Sequence, residues 1–382
     1  MPGMPKIDYA ETPFLIIWET TQACDLSCTH CRASAQPYRD LRELNFLEGK
    51  NLLKQASEMG TPIFVLSGGD PLKREDLYRL IKHGAGLGLR MATIPAATDL
   101  LTETVVGRLA EAGLSQMALS LDFPTAALHD AFRGVPGAFE KTMQAVEWAH
   151  QRKLPLQINT TLTHDSLTCL DDMVALVSRL GIVFWEVFFL VPTGRGSSLR
   201  GLTPAECETI FAKLYDVQKG SRFLVKVTEA PHYRRHVAQR EWAEQGARRV
   251  RGAMVSGLPT QLIRTEGPGH SIGLATQGVN AGNGFMFISH TGDIYPSGFL
   301  PISGGNIRQD RIETVYRESE LFRRLRSPKM FKGICGICEF GTICGGSRSR
   351  AYAMTGDYLE SDPWCAYRPA GARTEAAPSA PS

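Results

Sequence analysis

Cys24-Asp25-Leu26-Ser27-Cys28-Thr29-His30-Cys31 follows directly on an apolar, strand-like run from Phe14 to Trp18. The spacing is C-x3-C-x2-C, and no fourth cysteine stands near it. A cubic [4Fe–4S] cluster normally takes four thiolates. Three leave one iron free for another ligand, as a catalytic metal keeps one position open. The same triplet also reads as a structural zinc site or as buried free thiols, although zinc fingers pair their ligands and need a fourth partner.

Outward from this loop, apolar runs alternate with helical patterns. The runs cover residues 14–21, 62–67, 89–94, 116–122, 156–163 and 184–191. Most are continuously apolar, which suits parallel strands buried on both faces. Helical patterns cover 46–59, 73–85, 102–112, 138–152 and 170–180. Six strand–helix alternations predict a parallel sheet with right-handed crossovers. The cysteine loop then sits at the C-terminal end of strand one, the face that carries the chemistry in βα barrels.

In these residues the chain resembles the radical S-adenosylmethionine (radical SAM) superfamily. The resemblance implies an α/β fold, a partial (β/α)6 TIM-like barrel over residues 10–200. It also implies that Cys24, Cys28 and Cys31 hold a [4Fe–4S] cluster whose open iron chelates the amino and carboxylate groups of S-adenosyl-L-methionine (SAM). After strand two comes Ser67-Gly68-Gly69-Asp70-Pro71. Its glycines let the backbone approach a neighbour closely, and Asp70 with Pro71 also makes a good helix start with no ligand at all. The stretch resembles the Gly-Gly-Glu/Asp motif of the family, which contacts the SAM amino group. Ser120, Asp122 and Asn159 end strands four and five. They are loop-starting residues by type, and by resemblance contacts to SAM ribose, carboxylate or substrate. Glu186, inside an apolar run, would be costly if buried unpaired; it lines a cavity or sits on an exposed edge. Arg195 could clamp a carboxylate.

The 382 residues allow one large or two moderate domains. Hydrophobic content of 43% and charged content of 21% suit a globular protein with a sizeable core. A net charge of +3 is too near neutral to argue for nucleic acid. No apolar run reaches the length of a membrane span, and the N-terminus lacks the pattern of a signal peptide, so a cytoplasmic location is expected. Nine cysteines in a reducing compartment read as metal ligands rather than disulfides. Cys169 and Cys207, in helical segments, read as buried inert thiols.

Residues 201–284 read as a linker or lid region, with one further strand-like run at 223–228. Glu229-Ala230-Pro231-His232-Tyr233-Arg234-Arg235 brings a histidine, a tyrosine and two arginines together. His232 and Tyr233 are candidate catalytic groups, and Arg195, Arg234 and Arg235 are candidates for binding substrate carboxylates. Residues 238–283 read as a long loop or lid. Runs at 285–289 and 293–295 flank His290-Thr291-Gly292, a hairpin pattern.

Cys335, Cys338, Cys344 and Cys365 follow, spaced C-x2-C-x5-C-x20-C. Four thiolates close a site for zinc or for iron–sulfur. Here the chain resembles radical SAM enzymes with a C-terminal SPASM/twitch-like extension, expected over 285–369, whose auxiliary [4Fe–4S] clusters use this arrangement. The full pattern has two further cysteines, at places held here by Ser297 and Arg348. One auxiliary cluster is therefore expected. The trimmed pattern resembles the radical SAM enzymes of heme d1 biosynthesis and of the alternative heme pathway, which act on tetrapyrrole propionates. Residues 370–382, rich in Ala, Pro and Ser, read as a disordered tail.

The resemblance implies an enzyme that reductively cleaves SAM to a 5′-deoxyadenosyl radical for hydrogen abstraction. A small-molecule or tetrapyrrole substrate and an external one-electron donor such as ferredoxin or flavodoxin are the expected partners. The alternatives are maturation of a ribosomally made peptide, and a non-catalytic iron–sulfur or zinc redox protein.

Overall fold

The computed structural model describes residues 7–244 and 278–372. Most of the lid expected over 238–283, and most of the tail after 370, lie outside the described residues. Eight parallel strands form the main sheet: β1 (Leu15–Glu19), β2 (Ile63–Ser67), β3 (Arg90–Thr93), β4 (Gln116–Ser120), β5 (Leu156–Leu162), β6 (Phe184–Phe189), β7 (Leu224–Thr228) and β8 (Phe285–Ile288). Two short strands, β9 (Asp293–Tyr295) and β10 (Gly305–Asn306), extend one edge antiparallel, giving the order β10-β9-β8-β1-β2-β3-β4-β5-β6-β7. The crossovers are α1 (Phe46–Glu58), α2 (Leu77–Gly86), α3 (Glu103–Glu111), α4 (Ala126–Arg133), α5 (Ala138–Gln151), α6 (Leu170–Val177) and α7 (Pro204–Gly220), with α8 (His232–Glu244) after β7. Local chemistry starts the helices. Asn45 and Glu48 form a capping box at α1, and Thr203 with Glu206 does the same at α7, where Pro204 holds the first helical position.

Alternation along each strand divides the residues between two faces. Ile16, Trp18, Phe64, Leu66, Met91, Leu119, Ile158, Trp185 and Met286 face the helices and join one continuous core with them. The other face lines the barrel. On β1–β3 it is apolar, where Phe14, Ile63, Val65 and Ala92 form a second cluster with Leu15 and Ile17. On β4–β7 it carries Gln116, Ser120, Gln157, Asn159, Glu186 and Lys226 beside Ala118, Phe184 and Phe188. The lumen thus has a greasy wall and a hydrogen-bonding wall.

The six alternations expected from the sequence are all present, but the sheet does not stop at residue 200. β7 pairs with β6 inside the expected linker, and β8, expected to open the extension, pairs in parallel with β1. β7 coincides with the strand-like run expected at 223–228. The hairpin of β8 and β9 is present, with Phe287 opposite Tyr295 and Gly292 at φ +94° in the turn. Helix α4 has no counterpart in the expected pattern. C-terminal to the sheet lie α9 (Ile312–Glu318), α10 (Glu320–Leu325), α11 (Gly333–Ile337) and α12 (Arg348–Thr355). Among the described residues no helix is long and apolar enough to cross a membrane.

Candidate active site at the barrel mouth

The loop after β1 holds Cys24 and Cys28 buried and Cys31 half-buried. Its backbone is pinned from four sides. Cys24 donates to Gln36 O at 2.8 Å, Thr29 to Phe132 O at 2.9 Å, and Ser27 to Arg133 O at 3.1 Å. Arg195 donates its backbone N–H to Cys31 O at 3.0 Å and its Nε to Cys28 O at 2.8 Å. Each sulfur also receives a donor: Leu26 N on Cys24 at 3.4 Å, Ala35 N on Cys31 at 3.4 Å, and Arg133 Nη1 on Cys28 at 3.7 Å. Such outer contacts orient thiolate ligands and tune a cluster. Burial first, then the nearby Asp70, Cys28 and Cys31, push the Cys24 thiol up to about 12. Thiolate ligation needs a positive charge at such a site, and iron would supply it. The donor set fits an iron–sulfur cluster.

Gly68 and Gly69 lay the second loop against the first. A Cβ on Gly69 would stand 2.5 Å from Ala23 O and 2.7 Å from Gln22 O, and one on Gly68 2.5 Å from Thr21 O. Both clashes are with backbone. Gly69 and Asp70 donate to Thr21 O and Ala23 O, each at 2.7 Å. Asp70 is fully buried and caps the turn after it, accepting from Leu72 N at 3.0 Å, while Thr98 Oγ1 and Ala96 N bind its carboxylate at 3.0 and 3.3 Å. Asp70 therefore ties the loops after β2 and β3 together. Gly69→Ala is expected to cost about 1–3 kcal/mol by overpacking and to displace the cysteine loop. Urea unfolding of the iron-free protein and iron content after reconstitution both report it.

Asp122, fully buried, is the centre of a network that sequence reading did not assemble. Its Oδ2 pairs with Arg133 Nη2 at 2.5 Å, its Oδ1 accepts from Thr161 N at 2.8 Å, and its backbone N–H donates to His129 Nδ1 at 3.2 Å. Burial pushes the carboxyl up, but Arg133 and the two histidines beside it, His30 and His129, outweigh burial and hold Asp122 below the usual carboxylate range. His30 lies flat on Phe132 at 4.4 Å and is pushed down to about 4 by burial, as is His129. Leu26, Pro95–Ala97, Ser120, His129 and Arg133 line a small cavity beside the cysteines. Ser120 thus faces the space next to the loop, while Asp122 acts through Arg133. The missing element was α4, which carries both His129 and Arg133; its eight residues end before Gly134 and span only about two turns, too short to establish a period.

Asn159 lies on the polar wall, opposite Ser120 on β4 and Glu186 on β6. Gln157 Nε2 donates to Asn159 Oδ1 at 2.6 Å and to Glu186 Oε2 at 2.7 Å. Glu186 is not left unpaired: Thr228 Oγ1 donates to its Oε1 at 2.6 Å, and Lys226 Nζ stands 2.8 Å from the same oxygen.

Glu19, at the end of β1, is a second buried carboxylate. Arg32 Nη2 pairs with it at 2.5 Å and His290 Nδ1 at 3.2 Å, joining the residue after Cys31 to the β8–β9 hairpin. Burial pushes Glu19 up, yet Arg32 and His290 overcome burial and hold it at about 2. For His290 burial works downward, and Glu19 then Asp40 outweigh it, so its pKa rises above 6.5. A raised histidine stabilises the fold fully below its unfolded value and ceases to do so as pH climbs through the folded one; a lowered carboxylate stabilises above about 4.5 and is lost toward pH 2. Stability from this cluster is expected to peak between about pH 5 and 6.5. Urea unfolding at pH 6 and pH 8.5 should show a loss of about 1 kcal/mol that Glu19→Gln abolishes.

The second cysteine group gathers at the other end of the chain. Cys344 lies buried, and the charges of Cys335 and Cys365 act on it. Gly345 and Gly346 both adopt the left-handed region, at φ +71° and +63°. A Cβ on Gly346 would stand 3.1 Å from Cys335 Sγ. Gly346 N donates to Cys344 Sγ at 3.4 Å, and Arg348 Nη2 to Cys335 Sγ at 3.4 Å. This donor set also fits a cluster. Among the described residues no three His, Cys, Asp or Glu side chains close round a single ion.

The middle segment lies elsewhere than expected. His232 and Tyr233 pack on Phe211 of α7, ring centres 4.8 and 5.5 Å apart, on the helix side of the sheet and away from the lumen. Burial pushes His232 down to about 4 and the Tyr233 hydroxyl up. Arg234 donates to Ile343 O at 2.9 Å, Val279 O at 2.6 Å and Asn280 Oδ1 at 2.8 Å, bracing the Cys344 loop. Arg235 pairs with Glu208. Both arginines have structural partners, so neither is a free carboxylate clamp. Arg195 keeps a buried Nη2 without a hydrogen-bond partner. Cys207 is buried as expected, and Cys169 only half so.

Comparison with known proteins decides the family. The model of the radical SAM superfamily matches residues 18–177. The chain is 40% identical over 363 residues to the AdoMet-dependent heme synthase of Methanosarcina barkeri, covering 95% of this chain and 99% of that protein. The chain belongs to the radical SAM superfamily. It is 26% identical to the pre-heme d1 synthase of Dinoroseobacter shibae, over 95% of this chain and 89% of that one. Streptococcus suis SuiB bound to S-adenosylmethionine shares the fold at a TM-score of 0.69 and 16% identity, over 94% of this chain and 78% of that chain. As a radical SAM enzyme, the protein works with a [4Fe–4S] cluster and SAM.

Proposed function

We propose that this enzyme modifies the propionate side chains of a tetrapyrrole in heme formation. The observation that carries the reading is the end-to-end match, at 40% identity, to a protein named AdoMet-dependent heme synthase. Cys24, Cys28 and Cys31 would hold the catalytic cluster, and Cys335, Cys338, Cys344 and Cys365 an auxiliary [4Fe–4S] cluster. Cluster and SAM together supply a 5′-deoxyadenosyl radical, which takes a hydrogen atom from the substrate, and an external donor such as ferredoxin or flavodoxin provides the electron.

The residues of the chain prepare that chemistry. Gly68 and Gly69 bring a second backbone onto the cysteine loop. Ser120, His129 and Arg133 line the cavity beside it, where Arg133 can meet a carboxylate while Asp122 holds the guanidinium in place. Arg195 fixes the far side of the loop. The polar wall from Gln116 to Lys226 offers hydrogen bonds to substrate, and the apolar wall of β1–β3 excludes water from the radical.

The test is anaerobic reconstitution with iron and sulfide, followed by dithionite, SAM and a tetrapyrrole bearing propionates. 5′-Deoxyadenosine should form together with a change in the mass of the tetrapyrrole. Turnover with a precursor peptide and none with tetrapyrroles would replace this reading with peptide maturation. Metal binding without any SAM turnover would leave a redox protein.

A further inference from the structure

The end of β7 carries a residue that no step above uses. Glu229 stands in the left-handed region at φ +59°, a conformation that non-glycine residues adopt at a cost and that persists where surroundings enforce it. Three hydroxyls converge on its carboxylate. Ser347 Oγ donates to Oε2 at 2.5 Å, and Ser349 Oγ and Ser297 Oγ donate to Oε1 at 2.9 and 3.2 Å. Arg350 Nη2 holds its backbone carbonyl at 2.5 Å. All three serines are buried.

These partners come from two segments of the extension. Ser297 follows β9. Ser347 and Ser349 belong to Ser347-Arg348-Ser349-Arg350, which runs straight out of the Cys344-Gly345-Gly346 turn. The stretch alternates in function. Its serines grip Glu229. Arg348 reaches Cys335 Sγ and the carbonyls of Tyr358 and Glu360, and Arg350 forms a fully buried pair with Asp362, three residues before Cys365. One carboxylate on the barrel therefore seats the segment that follows the Cys344 turn, reaches Cys335 Sγ through Arg348 and pairs through Arg350 with Asp362, whose carbonyl accepts from Cys365 N.

We propose that Glu229 is a positioning residue for the auxiliary cluster: it locks the Ser347–Arg350 segment onto the end of β7, and its charge, fixed by three hydroxyls, holds down the reduction potential of the cluster. This rests on the reading that Cys335, Cys338, Cys344 and Cys365 bind a [4Fe–4S] cluster. A negative charge held nearby disfavours the added electron. Charge-assisted hydroxyl bonds keep the carboxylate in one place.

The experiment is a redox titration of the reconstituted enzyme followed by electron paramagnetic resonance, with iron and sulfide counted in every sample. Glu229→Gln, with iron content unchanged, is expected to shift the second cluster to a more positive potential and leave the SAM-binding cluster where it was. Glu229→Asp, which keeps the charge, should return close to the wild-type value. An unchanged potential in Glu229→Gln, or equal shifts in the Gln and Asp variants, overturns the proposal. If Glu229→Gln does not load the second cluster, Ser297→Ala carries the test. It leaves the charge but removes one donor, so the potential should move the other way, and no movement overturns the proposal. A wild-type enzyme with iron for one cluster and one signal would overturn the four-cysteine reading itself, and the role of Glu229 with it.

Discussion

Cys28→Ala is expected to reduce 5′-deoxyadenosine formation to the background of a cluster-free control. Cys28 lies at the centre of the loop, with Arg133 Nη1 3.7 Å from its sulfur and Arg195 Nε on its carbonyl. The backbone on both sides is held by Phe132, Arg133 and Arg195, so the loop cannot slide to offer another atom. No spare thiol can substitute: Cys207 is buried in α7 and Cys169 precedes α6. With two thiolates left, one iron of the cluster would have no protein ligand, and the site that would hold SAM would be lost with it. The cost to the fold is small, because removing one sulfur deletes about one methylene's worth of packing, roughly 1 kcal/mol. The controls follow from that balance. Iron per chain should fall by about half, while the melting temperature stays within a few degrees. A folded Cys28→Ala variant that still makes 5′-deoxyadenosine would refute the assignment of the catalytic cluster.

How much of this could be read from the chain depended on how local each signal was. The cysteine triplet, the six apolar runs and the Gly68-Gly69-Asp70 turn each carry their meaning within a dozen residues, and the structure places them together at one end of a parallel sheet. Asp122 was legible as a polar strand end, but its partner Arg133 was not, because α4 is only eight residues long and the pairing is tertiary. Arg234 and Arg235 looked like solvent-facing or substrate-binding cations. Their partners, Ile343 O and Glu208, lie 109 and 27 residues away, and nothing in a single sequence reports such pairings. The packing of His232 is equally non-local. It sits in a polar stretch of sequence, and its burial comes from Phe211 of α7, 21 residues earlier. The pairing of β8 with β1 is non-local, spanning 270 residues of sequence from Leu15 to Phe285, so no local pattern announces it. Glu229 draws its three hydroxyls from positions 68, 118 and 120 residues further on, so it was invisible until the fold existed.

Cys338→Ala is expected to separate the two halves of the reaction: SAM is still cleaved, but tetrapyrrole turnover falls below detection. The contacts that hold the SAM-binding loop come from Gly68–Asp70, α4 and Arg195, all within the first two hundred residues. The extension reaches that loop region indirectly, through the His290–Glu19–Arg32 contacts and through Arg350 on the carbonyls of Phe189 and Leu190. Loss of one ligand in the C-x2-C turn leaves those contacts in place. Asp362 and Arg350 stay paired, since neither depends on the sulfur of Cys338. Cleavage of SAM requires the first cluster, an electron and a closed loop, and all three survive. On the proposed reading, completion of substrate chemistry would depend on the second site. The assay is therefore paired: 5′-deoxyadenosine by chromatography and tetrapyrrole mass, in the same reaction. Uncoupled 5′-deoxyadenosine with unaltered tetrapyrrole is the expected result. If Cys338→Ala instead matches Cys28→Ala, with both proteins folded and neither cleaving SAM, the two clusters act as one unit. The short path from Cys344 through Ser347 and Arg350 to the end of β6 would then be the physical route by which damage at one site reaches the other.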